Sequence, residues 1–151
     1  MKRCSKSAVI LAVIMILSLL AGCSSMGNNK LERDANGKGN IGDFYLEILG
    51  YAVDVDENNI PILYLKLLFE NKSDDTACFD MVADVDVFQN GLGLKRLYTD
   101  ETGSTGIQAG ASVEVILGYY LTDGSDVDIE ITDIIGQYDE KIKETLKLNV
   151  E

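Results

Sequence analysis

Apolar and polar side chains alternate with a period of two along most of the chain after residue 42, and this predicts strands. The clearest case is CFDMVADVDVFQN (78–90), where Phe79, Met81, Ala83, Val85 and Val87 share one face and Asp80, Asp84 and Asp86 the other. Such alternation belongs to a sheet with one dry and one wet side. ILYLKLLFENK (62–72) turns Leu63, Leu65, Leu67 and Phe69 inward and Lys66 and Glu70 outward. ASVEVILGYYL (111–121) groups Val113, Val115, Leu117, Tyr119 and Leu121, and VDIEITDII (127–135) groups Val127, Ile129 and Ile131. DFYLEILGYAVDV (43–55) reads as the first strand, and LGLKRLY (92–98) as the return from a hairpin at Asn90-Gly91, two residues that tolerate positive φ. KIKETLKLNV (141–150) fits a helix or a strand. Ile142, Leu146, Leu148 and Val150 share the even positions, which favours the strand and leaves Glu144 as its inward exception.

About seven short strands, separated by polar turns such as DVDENNIP, NKSDD, TDETGSTG and TDGSD, imply an all-β antiparallel sandwich over residues 42–151, with a closed barrel as the alternative. The chain has no Trp, so the Cys…Trp…Cys core of antibody domains is absent.

Residues 1–22 follow a different pattern. Lys2, Arg3 and Lys6 precede the apolar run AVILAVIMILSLLA (8–21), whose 14 residues fall short of a spanning helix. A basic start, a short apolar stretch and a small-residue exit are the marks of a secretory signal peptide. The exit Leu20-Ala21-Gly22-Cys23 resembles the bacterial lipobox. The resemblance implies a diacylglycerol on the Cys23 thiol and cleavage between Gly22 and Cys23. An ordinary signal cut near Ala21, or an uncleaved anchor, is the competing reading. Residues 23–41, CSSMGNNKLERDANGKGNI, then form a lipid-bearing cysteine and a flexible linker, poor in apolar side chains. The expected address is the extracytoplasmic face of the membrane, held by lipid.

The full chain carries 13 basic and 25 acidic side chains, net −12. Removal of the signal takes Lys2, Arg3 and Lys6 but no acid, which leaves net −15. That charge repels phosphate backbones and anionic headgroups, so no nucleic acid is expected as partner and the domain stands off the bilayer. With Cys4 in the signal and Cys23 lipidated, Cys78 alone remains; it reads as a small buried hydrophobe in a fold without disulfides.

The sequence has no His, which removes Ser-His and Cys-His pairs, His general bases and ordinary zinc sites. No cofactor is expected beyond the covalent lipid. With 25 acids present, a carboxylate-based or calcium-dependent cell-wall hydrolase is the alternative to a non-catalytic binding or accessory module. For calcium, Asp54, Asp56 and Asn58 begin like an oxygen-rich loop, but Asn59 and Leu65 stand where an EF-hand needs Gly and Glu. Asp84 and Asp86 lie about 6.8 Å apart on one strand face. Asp123, Asp126 and Asp128 could converge at a turn. The competing reading of all these acids is a solvated face with Asx turns. Tyr64, Tyr98 and Tyr120 could present aromatic surface to an extracellular protein or glycan, though cross-strand packing accounts for tyrosines equally well.

Four strings carry a family resemblance: Phe69-Glu70-Asn71-Lys72-Ser73, Phe88-Gln89-Asn90-Gly91, Ala109-Gly110-Ala111-Ser112 and Leu121-Thr122-Asp123. Over roughly residues 43–135 the chain is similar to Gram-positive lipoproteins of unknown function with a telokin-like, immunoglobulin-related sandwich. Ala109 stands where that family often has Pro. The resemblance implies a fold and an address, and carries no catalytic residue.

Overall fold

The computed structural model describes residues 37–148. The lipobox and signal positions Leu20, Ala21, Gly22 and Cys23, most of the expected linker, and Val150 lie outside the described residues. Among the described residues nine strands and one helical turn follow in order: β1 Lys38–Ile41, β2 Phe44–Val55, β3 Pro61–Asn71, α1 Phe79–Val82, β4 Ala83–Gln89, β5 Leu92–Gly93, β6 Arg96–Thr99, β7 Ser112–Tyr120, β8 Val127–Asp133 and β9 Ile142–Leu146. They form two antiparallel sheets, β1-β2-β3-β7-β6 and β5-β4-β8-β9, packed as a sandwich rather than closed as one barrel. Among the described residues no helix is long and apolar enough to cross a membrane.

The inward sets predicted from alternation form the core. Leu63, Leu65, Leu67 and Phe69 of β3 meet Val85 and Val87 of β4, Val115, Leu117 and Tyr119 of β7, and Val127, Ile129 and Ile131 of β8. Phe69 stacks on Phe44 and takes the edge of Phe79, with centroids 5.7 and 5.8 Å apart. In β2 the register slips between Ile48 and Gly50, so the buried positions change from Leu46 and Ile48 to Tyr51. The bulge lets a twelve-residue strand keep one face on a twisted core.

Four expectations need correction. Residues 38–41 are not linker: they pair with β2 from Lys38↔Glu47 to Ile41↔Phe44, and Ile41 is wholly buried. The strand over 78–90 begins only at Ala83, because residues 79–82 make a helical turn that buries Phe79 and Val82 at i and i+3. Met81, expected inside, is 72 % exposed. The return 92–98 is two strands, β5 in one sheet and β6 in the other. The change of sheet falls at one peptide bond: the Leu94 N–H donates to the Val87 carbonyl, and the Lys95 carbonyl accepts from the Tyr120 N–H. Residues 142–146 form the strand that the even positions favour, with Ile142 and Leu146 buried and Glu144 half-buried beneath Gly37.

Candidate functional site

Among the described residues two polar side chains are fully enclosed, and they organise opposite ends of the sandwich. Asn71 follows Phe69 at the inward parity of β3, and its Nδ2 donates to the carbonyls of Asp75 (2.7 Å) and Ile107 (2.9 Å). Its Oδ1 accepts from the N–H (3.0 Å) and Oγ–H (2.6 Å) of Ser73. Gln89 follows Val85 and Val87 in the same way. Its Nε2 donates to the carbonyls of Asp123 (3.1 Å) and Ser125 (2.9 Å), and its Oε1 accepts from the Thr122 N–H and Oγ–H. A buried amide persists only when its donors and acceptors are met, and here both are.

The acids called candidate ligands are mostly occupied by turns. Asp56 Oδ1 accepts the N–H groups of Asn58 and Ile60, both at 2.8 Å, and these bonds hold its carboxyl below the usual carboxylate range. Asp54 Oδ1 accepts the Val55 N–H. Asn58 contributes its backbone to that turn, and Asn59 takes φ 60°. Asp123 binds Ser125 through Oδ1 and Asn90 Nδ2 through Oδ2, and the Ser125 hydroxyl leads in lowering its pKa. Asp128 accepts from Thr145 rather than converging with Asp123. Burial pushes the Asp133 carboxyl up, yet the N–H groups of Ile135, Gln137 and Tyr138 outweigh it and leave the group below its ordinary value. Among the described residues no three His, Cys, Asp or Glu side chains gather as a metal site.

Between the sheets, Arg96 of β6 reaches β4. Its Nη2 donates to Asp84 Oδ1 (2.9 Å) and to the Val85 carbonyl (2.6 Å), and its Nε to Tyr119 Oη (3.1 Å). The Tyr119 hydroxyl donates to the same Val85 carbonyl at 2.7 Å. Burial pushes the Tyr119 hydroxyl up to about 12, with Arg96 pulling it back. On the outer face, Tyr64, Gly118 and Tyr98 are register partners across β3, β7 and β6. The Tyr98 ring lies over Gly118, where a Cβ would stand 2.8 Å from Cε1, and it meets Tyr64 at 6.2 Å. Cys78 is half-buried, so the expectation of a buried thiol holds only in part. A shallow depression of about 390 Å³ on β8 and β9 is lined by Asp128, Glu130, Lys143 and Thr145 among others, and Glu130 is paired to Lys143 there.

The four strings that carried the resemblance thus form two hydrogen-bonded pairs. Asn71 meets residues 107–111, where its N–H donates to the Ala111 carbonyl and the Gly110 N–H to the Asn71 carbonyl. Gln89 and Asn90 meet Thr122 and Asp123. The sequence model of the domain of unknown function DUF5067 matches residues 24–133. The chain belongs to the DUF5067 family. No curated protein matches its sequence. The DUF5067 chain resembles a candidate lipoprotein of Bacillus subtilis, ycdA, at 14 % identity and TM-score 0.57, over 76 % of this chain and 39 % of that one. It therefore spans about two fifths of the Bacillus protein. It also resembles a candidate lipoprotein of Staphylococcus aureus, at 12 % identity and TM-score 0.54, over 79 % of this chain and 91 % of that one. At such identities the likeness is one of fold.

Reading the sequence missed Asn71 and Gln89 as organising residues of this DUF5067 domain. The signal was present: each extends an inward alternating set by one more step, which places an amide where a core residue is due.

Proposed function

We propose that the chain is an extracytoplasmic lipoprotein, tethered by a diacylglycerol on Cys23, whose sandwich acts as a non-catalytic binding or accessory module. The observation that carries this reading is Leu20-Ala21-Gly22-Cys23, placed directly after a short apolar run with a basic start. Two acyl chains hold a protein at a bilayer where one is marginal, so the lipid takes the place of an apolar run too short to span. The lipoprotein descriptions of the two proteins of like fold support the same address. The non-catalytic reading is supported by the absence of His and by the turn and pairing work done by Asp56, Asp84, Asp123 and Asp133.

The test is metabolic labelling with an alkyne fatty acid, followed by membrane fractionation, for the parent and Cys23→Ser. Label and membrane retention are expected in the parent and loss of both in the variant. A Cys23→Ser protein that stays in the membrane and carries label would refute the tether.

A further inference from the structure

Nine large apolar side chains are exposed among the described residues, and four of them gather at one end of the sandwich. They are Met81 of α1 (72 % exposed) with Ile134 (49 %), Ile135 (68 %) and Tyr138 (36 %) of the β8–β9 loop. The backbone joins the two segments, for the Ile134 N–H donates to the Val82 carbonyl at 3.0 Å. The loop is fixed from within. Asp133 takes the N–H groups of Ile135, Gln137 and Tyr138, Gly136 adopts φ 66°, and the Tyr138 ring lies on Gly42. A built loop that holds two isoleucines outward is not explained by folding, since isoleucine gains by burial.

We infer that this end is a docking surface for a protein segment that carries apolar anchors flanked by lysine or arginine. The choice of occupant follows from charge. Asp43, Asp74, Asp75, Asp139 and Glu140 are exposed in the loops that surround the patch. The cations of the same loops are Lys72, already paired with Glu70 and set over the Tyr45 ring, and Lys141. A second copy of the chain would bring this acidic rim against itself, and an anionic bilayer would meet it with like charge. A cationic partner gains at the rim while its apolar side chains cover Met81 and Ile135. The inference rests on the reading of the domain as a binding module, but not on its lipid.

The test uses the full chain in detergent and a fluorescein-labelled peptide, Lys-Lys-Leu-Ser-Leu-Lys-Lys, with binding read by anisotropy. A second peptide has Ser in place of both leucines and controls for charge alone. The leucine peptide is expected to bind at least about tenfold more tightly than the serine peptide. Combining Met81→Ser with Ile135→Ser should weaken it by about the same factor, and raising salt to about 0.5 M should weaken it further. Both substitutions fall on exposed positions, and an unchanged thermal melt is the required control that the fold is kept. An independent pair, Asp139→Asn with Glu140→Gln, should reduce the salt-dependent part alone. Equal binding by parent and Met81/Ile135 variant, or equal binding of the two peptides, overturns the inference. So does a concentration-dependent dimer, or capture of phosphatidylglycerol vesicles, that the Met81/Ile135 variant loses. A failure here leaves the Cys23 labelling untouched, which keeps the two readings separable.

Discussion

Truncating Gln89 to alanine is the sharpest probe of how the fold is held. The side chain makes four hydrogen bonds at 3.1, 2.9, 2.8 and 2.7 Å, and a longer one at 3.3 Å from the Asp123 N–H. At about 1 kcal/mol net for each good bond, their loss would total about 4 kcal/mol. Thr122 and Asp123 are exposed, however, so water recovers part of that. The void left by a side chain that is 1 % accessible adds about 1 kcal/mol, which gives about 3 to 4 kcal/mol for Gln89→Ala. Asn71→Ala should cost less. Ile107 C=O keeps the Ala77 N–H, Asp75 C=O keeps the Ser73 hydroxyl, and only the Ser73 N–H is orphaned. About 2 kcal/mol is expected there. Thermal melting followed by circular dichroism reads both. At about 4 °C or more per kcal/mol for a domain of this size, Gln89→Ala should melt at least about 12 °C below the parent. A shift under about 3 °C, or a greater loss in Asn71→Ala, would refute the assignment of Gln89 as organiser of its end.

Two further outcomes follow from the β6–β7 region. Burial raises the Tyr119 hydroxyl to about 12, so the folded state holds a proton that the unfolded chain releases near pH 10. Its contribution is complete below about pH 10 and falls by about 2 to 3 kcal/mol as pH rises toward 12; urea titrations should show that limb flattened in Tyr119→Phe. Gly118→Ala places a Cβ 2.8 Å from a Tyr98 ring carbon, so the ring must swing off Tyr64. Amide exchange in Arg96–Thr99 should quicken while stability falls by only about 1 kcal/mol, and unchanged exchange would mean the ring is not packed there.

Much of this architecture was legible because a half-buried strand writes its faces into the sequence. Leu63 to Phe69, Val85 and Val87, and Val127 to Ile131 needed no more than parity, and Asn90-Gly91 announced its turn through φ 53° and 79°. The failures have equally local causes. Lys38–Ile41 carries one apolar residue, so nothing alternates, and its place depends on β2. In Phe79–Val82 a period of two through Met81 competes with Phe79 and Val82 three apart, and contact with the 100–106 loop decides for the helical turn through Asp80 N–H to Gly103 C=O. The apolar end could not be read at all, since it joins Met81 to Ile134 and Ile135 across more than fifty residues.

The transfer of the chain between layers at Leu94 and Lys95 ties the sandwich shut along one long side, because a covalent bond, not packing, spans the gap. The opposite side is closed without a chain crossing, where β1 leans on β9 with Gly37 against Glu144 and Gly39 against Ile142, helped by the Tyr138 ring on Gly42 and the Tyr51 hydroxyl donating to the Lys147 carbonyl. Mechanical load arriving through the segment before Gly37 is thus delivered to a four-residue ribbon on the weaker seam. Under tension β1 would peel first, and the stitched border would be the last to open.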